Sequence, residues 1–134
     1  MKRTAPIRSL LAAGCTGLAL AAAATGPASA HEAHGKPMYG GVVAEAGSFQ
    51  GELVNAPKGA TLYLTDHGQP IASAGATAKV VVLAGGTKSE LEFVPAGDNR
   101  LAAPGGATLA AGSKAVATVK LKDGRSGALR FDVK

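Results

Sequence analysis

From Ala115 to Lys134 the chain alternates with a period of two. Ala115, Ala117, Val119 and Leu121 are set against Val116, Thr118, Lys120 and Lys122. After Asp123-Gly124 the pattern resumes, with Leu129, Phe131 and Val133 set against Arg130, Asp132 and Lys134. Successive side chains of a strand point to opposite faces, so this stretch reads as a β-hairpin with one apolar face and one largely charged face. Its connection takes two to four residues. A chain that ends this way has to bury the apolar face against a second layer of structure, which directs the reading of everything before it.

Shorter stretches upstream repeat the pattern. Tyr39–Glu45 reads as a glycine-loosened edge strand. Phe49–Val54 places Phe49 and Leu53 on one face and Gln50 and Glu52 on the other. Ala60–Asp66 is a strand with Leu62 and Leu64 inward, ended by a turn at His67-Gly68-Gln69-Pro70, and Ile71–Ala78 reads as a loop. Lys79–Ala84, with three consecutive valines, reads as a central strand. Glu90–Val94 turns Leu91 and Phe93 inward, and Arg100–Ala102 is a short strand before the break at Pro104-Gly105-Gly106. Asn55–Gly59, Gly85-Gly86-Thr87 and Pro95–Asn99 are turns. About seven short strands, turn signals every 8–12 residues and no helix-length amphipathic stretch predict an all-β fold. The expectation is a small antiparallel β-sandwich of Ig-like type, with a small β-barrel as the alternative. Its core would be Phe49, Leu53, Leu62, Leu64, Val80, Val82, Leu91, Phe93, Val119, Leu121, Leu129 and Phe131.

Residues 1–30 have the three parts of a secretory signal: a basic start at Lys2, Arg3 and Arg8, an apolar run over Leu10–Ala24, and an A-x-A site at Ala28-Ser29-Ala30. The run is shorter than the roughly 20 residues of a membrane-spanning helix. A lipoprotein reading of Cys15 fits poorly, because the apolar run continues past it. Cleavage after Ala30 would leave a 31–38 tail and a 39–134 domain in the periplasm or outside the cell, with no membrane span. The chain's one cysteine lies in the leader, so the mature protein would have neither a disulfide nor a thiolate metal site. Three of the 14 Lys and Arg go with the leader, leaving eleven against nine Asp and Glu, a net +2. The positive residues are spaced singly among acids, which excludes a nucleic-acid stripe.

Cleavage would also make His31 the first residue, giving it an amine and an imidazole on one residue with His34 three positions on. Imidazole nitrogen suits Cu(II) and Zn(II), and Glu32 and Met38 lie close in sequence. Asp66-His67, at the end of a strand, offers a further imidazole, with the aspartate as a ligand or as the partner of the other ring nitrogen. His31, His34 and His67 are the chain's three histidines, so the candidate metal residues are His31, His34, His67 and Asp66. The alternative is a solvated tail and an ordinary turn. There is no Gly-x-Ser-x-Gly elbow, no Gly-x-Gly-x-x-Gly loop and no mature cysteine nucleophile, so the expectation is a protein that is not an enzyme. Arg125-Ser126-Gly127 reads as a plain hairpin connection.

A cleaved leader, an amino-terminal histidine and a cysteine-free sandwich resemble the small periplasmic copper-resistance proteins of the CopC-like type. That resemblance implies Cu(II) held by the His31 amine, with Asp66 and His67 in the remaining roles, although Glu32-Ala33-His34-Gly35 departs from the family's early sequence. The stretches Glu52–Val54, Leu62–Pro70 and Pro95–Leu101 are also similar to uncharacterised envelope domains related to extensions of heavy-metal efflux adaptor subunits. Together these imply metal handling in the envelope, with an efflux or chaperone protein as partner. The competing expectation is a structural or protein-interaction module with an exposed sheet edge and no metal site.

Overall fold

The computed structural model describes residues 35–134. The leader, His31 and His34 lie outside the described residues. The strands are β1 (Val42–Ala46), β2 (Phe49–Ala56), β3 (Gly59–Asp66), β4 (Gln69–Pro70), β5 (Thr77–Ala84), β6 (Thr87–Pro95), β7 (Arg100–Ala102), β8 (Lys114–Lys120) and β9 (Ser126–Asp132), with one 3-10 turn at Pro104–Gly106. All pair antiparallel along one continuous path, β1-β2-β3-β7-β6-β5-β8-β9, with β4 on the side of β3. β1 and β9 pack side by side, so the path nearly closes into a barrel.

Local chemistry sets the turns. Gly85 and Gly86 have φ of 54° and 82° and join Ala84 to Thr87, the left-handed pair that a two-residue hairpin needs to match strand twist. His67 and Gly68, at 48° and 80°, repeat this geometry between Asp66 and Gln69 and add the short strand β4 where the sequence suggested only a turn. At the C-terminus the Leu121 N–H donates to the Arg125 carbonyl (2.8 Å), closing a turn over Lys122-Asp123-Gly124, within the expected length.

The core contains every expected residue except Leu91, which is half-buried at its margin. It also takes in Leu101, Leu109, Val133 and a set of alanines. Small residues let the barrel draw together. A Cβ on Gly127 would stand 2.6 Å from that of Ala46, and one on Gly51 would run into the Leu129 side chain. These two glycines are what allow β1 and β2 to close onto β9.

Glu52 is charged, yet it is 5% exposed. It does lie on the face opposite Phe49 and Leu53, and the chain entering the domain covers it. Its carboxylate accepts backbone N–H bonds from Met38 (2.8 Å), Tyr39 (2.9 Å) and Gly41 (2.7 Å). Three convergent donors are what a buried carboxylate requires to offset its lost hydration. The strap so pinned lays Tyr39 flat on Tyr63, with ring centroids 3.8 Å apart.

Candidate functional site

Asp66 and His67 sit where β3 ends. Asp66 Oδ1 bonds His67 Nδ1 at 2.5 Å, and Asp66 Oδ2 accepts from Arg125 Nη1 at 3.0 Å. The left-handed backbone at His67 swings its ring outward, leaving the side chain 95% exposed. An ionised carboxylate only accepts hydrogen bonds, so Nδ1 carries a proton here and Nε2 is the ring nitrogen turned to solvent. The bond to His67 and then the Arg125 guanidinium hold the Asp66 carboxyl below the ordinary carboxylate value. Asp66 is therefore spent on orienting its neighbour and on Arg125, which makes it a partner of the ring rather than a free ligand.

Arg125 does more than connect a hairpin. Its Nε donates to Asp123 Oδ2 (2.8 Å), and Nη1 reaches both Asp66 and the Ser48 carbonyl (3.4 Å). The two aspartates raise its own proton affinity. This one side chain ties the β8–β9 turn to β3 and to the β1–β2 turn. The Arg125–Asp66 link joins residues 59 apart in sequence, and no local pattern announces it.

Glu45, Gly47, Ser48, Phe49, Gln50, Asp66 and His67 line one open hollow at this end of the barrel. Gln50 Nε2 donates to Glu45 Oε1 (2.7 Å), and Gly35 lies against the Gln50 amide. The first described residue thus packs on a wall of the hollow that contains His67. Among the described residues, no group of three or more His, Cys, Asp or Glu is placed to hold a metal ion. Of the four candidate metal residues, Asp66 and His67 are adjacent, while His31 and His34 fall outside the described region.

A second feature is a strand edge. β6 pairs with β5 from Thr87 to Phe93, but β7 reaches only Val94 and Pro95 on its other side. Over Lys88–Glu92 that side has no ladder partner among the described residues. Ala84 and Thr87 flank the two-residue turn, so Thr87, Ser89, Leu91 and Phe93 bond toward β5 and their neighbours face outward. The Ala96 N–H bond to the Arg100 carbonyl (2.8 Å) fits the same alternation. The N–H and C=O groups of Lys88, Glu90 and Glu92 therefore point away from the barrel. Their side chains lie on its outer surface, where Glu90 meets Lys79 (3.4 Å) and Lys88 (3.9 Å).

No protein-family model, curated protein or solved structure matches the chain.

Proposed function

We propose that this is a non-catalytic interaction module of the cell envelope, which recruits an extended protein segment as an added strand along β6. The open edge over Lys88–Glu92 carries this reading. Added strands gain affinity from main-chain hydrogen bonds and selectivity from alternate side chains. Here the selectivity would come from a cation at Lys88 and anions at Glu90 and Glu92. An Ig-like sandwich, the finer form of the fold expected from the sequence, belongs to the same proposal, as does a periplasmic setting after removal of residues 1–30. The test is a photo-crosslinking residue at Ser89 in cells, with adducts identified by mass spectrometry. Adducts to one identified protein, lost when Glu90→Pro removes an outward N–H, support the module. Absence of adducts, or adducts indifferent to Glu90→Pro, overturns it.

A second reading, binding of Cu(II) or Zn(II), is favoured by one observation: the chain enters the domain against the hollow that holds His67. Gly35, which follows His34 in the sequence, lies against the Gln50 amide on the wall of that hollow. A neutral His67 whose proton is held at Nδ1 by Asp66 offers Nε2 as a ligand. His31, His34 and His67 would then bind the ion, Asp66 would orient His67, and an efflux or chaperone protein would receive it. Calorimetric titration of a chain beginning at His31 should show one-to-one binding. That binding should weaken both in His67→Ala and when one residue is added before His31. Equal, feeble heats in all three proteins would remove this reading.

A further inference from the structure

We infer that the segment which adds to β6 is β6 of a second copy of this chain, paired antiparallel about a two-fold axis through Ser89. The inference rests on the reading of β6 as a recruiting edge and names its occupant.

Two constraints select the register. The outward-facing groups belong to Lys88, Glu90 and Glu92, so hydrogen-bonded pairs across the new edge must be drawn from these residues. Directly opposed side chains must also avoid like charge. An axis through Leu91 would set Glu90 against Glu92 of the other copy, twice. An axis through Glu90 would set that residue against itself. An axis through Ser89 sets Lys88 against Glu90 of the other copy, twice by symmetry, with Ser89 facing Ser89 and Leu91 facing Thr87. Glu92 then falls opposite Gly86, whose missing side chain presents no charge. Each self-pairing is isologous, so one favourable contact counts twice.

The surrounding structure suits this arrangement. Lys88 and Glu90 are about half to two-thirds exposed, and on the outer surface Lys79 already screens Glu90. Leu91, half-buried at the margin of the core, would gain cover from Thr87 of the other copy. The product is one sheet running β9-β8-β5-β6 and on into the same strands of the second copy in reverse order. The inward side chains are unchanged, so neither protomer needs to refold.

Charge reversal gives a test in which the register itself is read out. Lys88→Glu places two acidic pairs across the axis, and Glu90→Lys places two basic pairs there. Each should weaken self-association about tenfold or more in sedimentation velocity over a concentration series. An equimolar mixture of the two variants should form a heterodimer, because both cross-axis pairs become opposite in sign. The double variant K88E/E90K should self-associate like the wild type, and Glu90→Pro should not associate. A wild type that stays monomeric overturns the inference, as do single variants that dimerise normally or a mixture that fails to associate. If it falls while Ser89 still crosslinks to a different, identified protein, the interaction-module reading survives. If both fail, both are wrong.

Discussion

Strands β1 and β9 bring two ladder edges together on one side of the barrel, whereas β6 leaves one standing on another. Neither edge is completed by a full neighbouring strand, yet the first is closed by side-chain geometry. Gly127 admits Ala46, Gly51 admits Leu129, and Arg125 reaches across to Ser48 and Asp66. The second lacks that closure: besides β7, only the 3-10 turn at Pro104–Gly106 comes against β6. Along the rest Lys88, Glu90 and Glu92 guard it by charge, a device that blunts indiscriminate aggregation while leaving the backbone groups accessible. A sheet edge can thus be withdrawn from solution by packing or left available under electrostatic control. In this domain the two solutions sit on one continuous ladder. Different substitutions are therefore costly on each side.

The largest effect should come from forcing the closed edge apart. Gly51→Val drives a branched side chain into Leu129, which has no exposed surface, and against Leu62. Overpacking of this kind costs about 3 kcal/mol, and urea unfolding should show it as a fall in midpoint at unchanged slope. Gly127→Ala should cost less, about 1 kcal/mol, because Ala46 lies on a strand margin that can shift. If Gly51→Val were neutral, the closure of β1 and β2 over β9 would be wrong.

Next comes a pair of proline substitutions on one strand. Ser89→Pro removes an N–H that bonds β5 and should cost about 2 kcal/mol. Glu90→Pro, one residue along, removes an N–H that faces solvent and should stay within about 0.5 kcal/mol of the wild type. Equal costs at the two positions would mean that the assignment of outward and inward groups on β6 is mistaken, and the open edge with it.

Strand positions and the core were legible because period-two alternation survives in a single sequence. Phe49, Leu53, Leu62, Leu64, Phe93, Leu129 and Phe131 lie where their spacing put them. What escaped depends on contacts between distant segments. The face of Glu52 follows from its spacing, but its burial comes from a strap at Met38–Gly41 that has no periodicity of its own. The positional meaning of Gly51 is invisible until Leu129 is placed over it. Asp66-His67 was legible as a strand end followed by a turn. Arg125, the cation that engages Asp66, lay in a stretch that read as a plain connection, since nothing local distinguishes a guanidinium with a distant partner from one in water. The open edge on β6 follows from β7 being three residues long. The sequence indicated that strand but not its neighbours.

The smallest effect should come at the end of the closed edge, where charge supplements packing. The Asp66 carboxyl is held below its ordinary value of 3.8, first by the ring of His67 and then by Arg125. A carboxyl with a depressed folded value binds fewer protons in the native than in the unfolded chain. Its contribution to stability is therefore complete above the ordinary value and is lost as pH falls through the lower, folded one. The gap in urea midpoint between wild type and Asp66→Asn should accordingly be largest well above pH 3.8 and should narrow as pH falls below it. Asp123 is held down by Arg125 as well and titrates in both proteins, so most of its effect cancels in the difference. A gap that widened on acidification would mean that Asp66 opposes the closed form, and that Arg125 bridges β3 and the β8–β9 turn without holding them together.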